Sequence, residues 1–306
     1  MSTRHLIDLI EAIRCELPPF WRSQLRKAQA RERDRPRSRP RLAASDMTSF
    51  EPVELLAGDH SGGMLIVADH AMRHLPQEYG RLGLPEQEFE RHIAYDIGVE
   101  GVVRHLVQMT GAPAVMARFS RLLIDPNRGE DDPTLIRQIY DGAVIPGNYP
   151  LYEAERQSRI ERFFKPFRNE VLESAALCDS ACGGACLVIS MHSFTPVMAG
   201  RSRPWHIGLL WDRDDRAAIR LFSLLSADPA LVVGDNEPYD GALKGDTMHE
   251  AGTMAGRAHV LIEIRQDLIV ADDGQLAWAK RLAPMLAAIN GDPALHTRKH
   301  YGSRTD

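Results

Sequence analysis

Short apolar runs that stop on polar residues constrain this chain more than any other feature. "GMLIVADH" (Gly63 to His70), "APAVMARFS", "CLVISMH", "RPWHIGLLWD" and "HVLIEIRQDLIV" are such runs. Each has the length and continuous apolar character of a strand buried on both faces. "RLLIDPN" reads as a further strand piece. Between the runs lie longer segments with helical spacing. "PEQEFERHIAYDIGVEGVVRHLVQMTG" is acidic at its start, carries Phe89, Ile93, Ile97, Val102 and Leu106, and stops at Gly111, which predicts one helix. "YPLYEAERQSRIERFFKPFRNEVLESAA", "DRAAIRLFSLLSA" and "GQLAWAKRLAPMLAAIN" predict three more. Strands alternating with helices predict an α/β three-layer sandwich around a mixed, mostly parallel sheet.

Charge divides the chain. Residues 1–46 hold eleven Lys/Arg against six Asp/Glu, and the rest hold 26 against 36. The basic part peaks in "RKAQARERDRPRSRPR", Arg26 to Arg41, whose prolines and mixed charge predict a solvated, partly disordered extension. Contact with nucleic acid or acidic lipid is the other reading of this arm, and Met47 in "MTSFEPVELL" is a third possibility, the true start of the domain. Residues 47–306 are expected to form the folded domain. Their acidity argues against nucleic-acid binding. No run approaches the ~18 apolar residues of a membrane span, and Leu6 to Ile13 is broken by Asp8 and Glu11. The cysteines of "CDSACGGAC" crowd together and make a poor disulfide framework. Two glycines and the lack of a fourth familiar ligand argue against a cluster, so small residues leading into a strand are expected. The cytoplasm is the expected compartment.

In open α/β sheets ligands bind beyond the carboxyl ends of the strands. Asp69 and His70 follow "MLIVA", His192 follows "LVISM", Glu263 lies within "VLIEIRQD", and Asn127 and Arg128 follow "RLLID". His92 and Asp96 are four apart, on one face of the predicted helix. Two histidines and a carboxylate are a common zinc set that leaves a position for water. A separate glutamate can then serve as general base. A lone histidine at a strand end is, on the other hand, more often a hydrogen-bonded core residue. "MHEAGTM" lacks the second histidine of an HExxH motif, and no nucleophile elbow, P-loop or GxGxxG is present.

Seven blocks in order, "VADHAMRHLP", "LGLPEQEFERHIAYDIGV", "SRLLIDPNR", "MHSFTPVMAG", "RPWHIGLL", "DNEPYDG" and "HVLIEIRQDLI", resemble the N-formylglutamate amidohydrolase family. The resemblance runs from about residue 50 to about 285. It implies a zinc-carboxypeptidase-like and aspartoacylase-like fold with one Zn2+. It implies His70 and His192 as the first and last zinc ligands. Where carboxypeptidases place a ligand glutamate three residues after the first histidine, this chain has Arg73. Asp96 is the preferred middle ligand, with His92 as alternative; the plain reading of that pair is a loop-orienting contact. The resemblance further implies Glu263 as the base that activates water, against a plain reading as a buried partner of Arg265. It implies Arg121, Asn127 and Arg128 as a grip on a substrate carboxylate, against an Asp125–Arg128 ion pair that shapes the loop. Arg265 is a weaker candidate for a second carboxylate, and Asn236 and Tyr239 are expected in a pocket loop.

The function implied is metal-dependent hydrolysis of the amide of a small acidic N-acyl amino acid, N-formyl-L-glutamate by family name. Two alternatives stand beside it. One is a zinc peptidase or amidase acting on peptides. The other is a binding protein whose metal site has decayed, which the glutamate missing at Arg73 would fit.

Overall fold

The computed structural model describes residues 50–306. The basic extension and Cys15 lie outside the described residues. The strands are β1 (Val53–Leu56), β2 (Met64–Ala68), β3 (Ala114–Ala117), β4 (Ile139–Tyr140), β5 (Ala143–Val144), β6 (Leu187–Phe194), β7 (Val197–Met198), β8 (Arg201–Ser202), β9 (Ile207–Leu210), β10 (Val233–Asp235) and β11 (His259–Arg265). Seven of them form one sheet in the order β1-β3-β2-β6-β11-β9-β10. β3, β2, β6 and β11 are mutually parallel, while β1 and β9 join antiparallel at the two sides. β10 then pairs parallel with β9. β4–β5 and β7–β8 are separate two-stranded ribbons.

The continuous apolar runs are explained by what covers them. Every residue of β2 and β6 is buried, because helices lie on both faces of the sheet. One layer contains α1 (Val99–Thr110), with α4 (Arg216–Leu225) and α5 (Asp272–Asn290) also in this layer; it packs on Met64, Ile66, Ile189, Met191, Val260 and Ile262. The other contains α2 (Glu153–Arg159) and α3 (Lys165–Cys182), joined by a wide turn at Ile160–Phe164; it packs on Leu65, Val67, Val188 and Leu261. Phe167 on α3 is fully buried there. Burial of one such side chain contributes about 1.5–3 kcal/mol. Strand alternation then decides the site: Asp69, Ser190, His192 and Glu263 continue the series Val67, Val188 and Leu261, so they project toward the α3 layer.

The predicted helix from Pro85 to Gly111 is a correction. Only Val99–Thr110 is α-helical; Glu86–Glu90 is a single 3-10 turn and residues 91–98 are turns. The backbone there bonds to other loops instead of to itself: the Asp96 amide donates to the His70 carbonyl at 2.9 Å and the Arg121 amide to the Ala94 carbonyl at 3.2 Å. Gly98 begins α1 in the left-handed region at φ 83°, where a Cβ would lie 2.0 Å from the Ile269 carbonyl oxygen. His92 and Asp96 therefore do not share a helix face. "RLLIDPN" is also not a strand. Leu122, Leu123 and Ile124 are fully buried in turns, and the Asp125 amide donates to the Leu135 carbonyl at 2.8 Å.

The cysteines of "CDSACGGAC" are free, with Cys178 and Cys186 buried at the end of α3 and the start of β6. Between them Asp179 ties the amino ends of β6 and β11 together. Its carboxylate accepts from the Cys186 amide at 2.7 Å and from the Arg257 guanidinium at 2.7 Å, and it also meets Arg298. Burial alone would raise this carboxyl, but the Arg257 guanidinium and the Cys186 amide outweigh it and hold it below the ordinary range. A depressed native pKa stabilises the fold above the unfolded value of about 3.9 and ceases to do so as pH falls through the native value. Asp179→Asn is therefore expected to cost about 2 kcal/mol at pH 7, with the gap from the parent protein narrowing below about pH 4. Denaturant titrations across that range measure it; a gap that is independent of pH would show that the ionised carboxylate is not responsible.

Candidate metal centre and active site

Three strand ends and one loop build the site. β2 delivers Asp69 and His70, β6 delivers His192, and β11 delivers Glu263 as the in-register neighbour of His192. The Asp96 loop is hung on the carbonyl of His70 by its own amide. Asp96 Oδ2 lies 2.9 Å from His192 Nδ1 and 3.5 Å from His70 Nδ1. Ligand atoms of all three buried residues fall within 4.8 Å of one another, a group that can hold a metal ion.

The far side of each imidazole is fixed by another buried carboxylate. His70 Nε2 is 2.7 Å from Asp125 Oδ1, and His192 Nε2 is 3.2 Å from Asp69 Oδ2. A carboxylate at Nε2 keeps the ring proton there and leaves the Nδ1 lone pair free, the usual support of a metal-binding histidine. Asp69 is itself held by the Thr247 hydroxyl and by Ser190 Oγ at 3.3 Å. His70 Nδ1 has no hydrogen-bond partner although it is buried. An unsatisfied buried acceptor costs about 1–3 kcal/mol, and a cation at this point would remove that cost. The residues present fit a divalent ion.

The electrostatics show a site that draws positive charge. Burial opposes a charge on His192, yet Asp69 and Asp96 together raise its imidazole well above the usual range. Burial likewise opposes ionisation of Asp125 and Asp96; Arg121 and His70 outweigh it at Asp125, and the two imidazoles outweigh it at Asp96. Glu263 goes the other way. Burial pushes its carboxyl up to about 8, only partly countered by His192 and the nearby arginines. Its Oε2 is buried with no partner.

The N-formylglutamate amidohydrolase family matches residues 62–270. This chain belongs to that family. Among solved structures, gene product Atu2144 from Agrobacterium tumefaciens is 34% identical with a TM-score of 0.72, covering 79% of this chain and 95% of that one. An N-formylglutamate amidohydrolase from Ralstonia eutropha JMP134 is 20% identical with a TM-score of 0.53, covering 79% of this chain and 97% of that one. No curated protein matches this chain. Membership in the N-formylglutamate amidohydrolase family makes the chain an amide-hydrolysing enzyme, and no helix among the described residues is long and apolar enough to cross a membrane.

In this member of the N-formylglutamate amidohydrolase family, only some of the residues singled out in the sequence gather at one place. His70, Asp96, His192 and Glu263 come together. His92 does not join them: its Nε2 faces Asp141 at 3.7 Å and its ring meets Tyr140 edge-on. Arg73 is also outside, bonded to the Phe89 carbonyl at 2.8 Å and paired with Glu90. Arg121 sits at the centre but is committed, bridging Asp96 Oδ1 at 3.2 Å and Asp125 Oδ2 at 3.1 Å. The Asn127 amide donates to Asp125 at 3.0 Å, while Arg128 Nε stands 3.7 Å from Asp125. On the opposite side, Asn236 Oδ1 accepts from the Trp211 amide at 2.9 Å and the Gly241 amide at 3.1 Å, so it shapes the loop. That loop presses onto β9 beside Glu263, where a Cβ on Gly208 would lie 1.9 Å from the Glu237 carbonyl oxygen. Arg265 binds Asp267 at 2.8 Å and the carbonyls of residues 203–205. Thr247 belongs to the support of this group without having been legible as such. Thr247 lies 178 positions from the Asp69 it supports, in a segment with no periodic or motif signal.

Proposed function

We propose that this chain hydrolyses the amide bond of a small acidic N-acyl amino acid, with N-formyl-L-glutamate as the first candidate, using one Zn2+ held by His70, Asp96 and His192. The observation that carries the reading is the pair of imidazoles turned Nδ1-inward on Asp96 by Asp125 and Asp69. Two nitrogens and one carboxylate oxygen suit zinc with an open position. The metal would supply Lewis acidity toward the amide carbonyl. Glu263 is the base: its unpartnered Oε2 takes a proton from the attacking water and returns it to the leaving amine nitrogen. A carboxyl with a raised pKa both accepts and releases a proton near neutrality. Asp69 and Asp125 hold the histidine tautomers, and Arg121 positions Asp96 and Asp125. Arg128 and Asn127, beside Asp125, are assigned to a charged end of the substrate.

Two measurements on protein purified without chelators test this. Elemental analysis is expected to find about one zinc per chain, and a panel of N-formyl, N-acetyl and N-succinyl amino acids is expected to rank acidic N-formyl substrates first by kcat/KM. A metal-free preparation that is not activated by zinc, or turnover confined to peptides, sinks the proposal.

A further inference from the structure

We propose that Arg203, together with the Tyr239 hydroxyl, receives a carboxylate of the substrate that is distinct from the one facing Arg128. This rests on the hydrolase reading of the site and adds a second anionic subsite to it. Arg203 lies between β8 and β9, on the side of His192 and Glu263 away from Asp125. Its guanidinium lies over two rings, 4.9 Å from the centre of Tyr239 and 5.8 Å from that of Phe194, which follows His192 on β6 by two residues. Its hydrogen bonds go to neutral atoms: Tyr239 Oη at 3.0 Å, Thr195 Oγ1 at 3.3 Å, the Thr195 carbonyl at 3.5 Å and Met198 Sδ at 3.0 Å.

No carboxylate among the described residues pairs with it. That sets it apart from its neighbours. Arg121 bridges two aspartates and Arg265 is taken by Asp267, while Arg128 Nε stands 3.7 Å from Asp125 without a hydrogen bond. A guanidinium packed over aromatic rings presents a planar fork of donors, the arrangement that recognises a carboxylate with two parallel bonds. Tyr239 accepts from Arg203, so its own O–H remains available to a substrate oxygen. The placement is enforced: Arg265 gathers the carbonyls of residues 203–205 and so fastens the Arg203 turn to β11, two residues past Glu263. Arg203 also reaches Glu263 electrostatically, opposing the rise of its carboxyl. Carboxylate receptors on both sides of the reacting centre select a substrate with two carboxylates.

The test crosses Arg203→Met, Arg203→Lys and Tyr239→Phe with N-formylglutamate, its α-amide and its γ-amide. Loss of a charge-assisted carboxylate contact is expected to raise KM about 10- to 100-fold for N-formylglutamate in Arg203→Met, with kcat within about threefold. That penalty should vanish for one of the two amides and persist for the other. Arg203→Lys should recover part of the loss, since charge remains without the fork. Tyr239→Phe removes only the hydroxyl and is expected to show a smaller penalty with the same substrate pattern. Equal penalties on all three substrates make Arg203 structural and overturn the proposal. If the parent enzyme turns over none of them, the hydrolase reading has failed, and Arg203 is judged by titration calorimetry with glutarate. At least tenfold weaker glutarate binding in Arg203→Met then sustains the anionic subsite; unchanged or absent binding in both proteins overturns it.

Discussion

Glu263→Gln is expected to lower turnover by about 10²–10⁴-fold, the contribution of a well-placed general base, with the metal retained. The substitution keeps the volume and polarity of a side chain buried between His192 on β6 and Gly208 on β9. It removes only the ability to accept a proton. KM should change little, because the lost interaction belongs to the transition state. The acid limb of the rate profile carries a second signature. Glu263 works ionised, so activity falls as pH drops through its pKa; burial has placed that pKa high, and a nearby cation would bring it down from about 8. In the variant this limb should disappear. Rate profiles from pH 5 to 9, with metal content measured on the same samples, check both points. Loss of zinc from the variant would make Glu263 a ligand. Retained zinc with near-native turnover would leave the reaction without its base.

His192→Ala should lose the metal and with it all measurable turnover. Its imidazole is the closest neighbour of Asp96 in the metal group, and two remaining donors bind a cation far more weakly than three. The graded comparison is Asp125→Asn. Asp125 touches His70 only through Nε2, so its loss should weaken zinc by about 10–100-fold, the usual cost of an outer partner, and less than loss of His192. Competition with a chromophoric chelator ranks the two. Equal affinities would mean that His192 is not a ligand. Because His192→Ala also leaves Asp69 and Asp96 without a buried partner, circular dichroism on the same protein separates metal loss from unfolding.

The parts of the site carried by strands were legible in the sequence; the parts carried by loops were legible in residue type but not in position. His70, His192 and Glu263 terminate or interrupt apolar runs, and a buried run has little choice but to become a strand of this sheet. Asp96 was readable as a carboxylate of the right spacing, yet the helix expected around it does not form, since the backbone at 94 and 96 is recruited by residues 70 and 121. No local rule anticipates such pairing. Arg121 was readable as a charge near the site, but whether it meets a substrate or two aspartates depends on Asp96, brought in from another loop. Arg203 carries no local signal for the same reason. Its partners Phe194, Met198 and Tyr239 become one wall only after β6, β9 and the loop after β10 are assembled.

The in-register pairing of His192 with Glu263 has a consequence for how this enzyme can change. Neighbouring strands sit about 4.8 Å apart wherever they are hydrogen-bonded, so the spacing between the proposed ligand and the proposed base is fixed by the ladder and not by any side-chain choice. A slip of one residue would turn one of the two to the opposite face. Intermediate separations are not accessible. Recognition, as proposed, is built differently, on the turns at 121–128, 203–206 and 236–241, which can be rebuilt one residue at a time without disturbing the ladder. Substitutions in these turns should therefore exchange one acyl donor for another while the bond-breaking apparatus keeps its dimensions, whereas substitutions in β6 or β11 should act as a switch that leaves it working or silent.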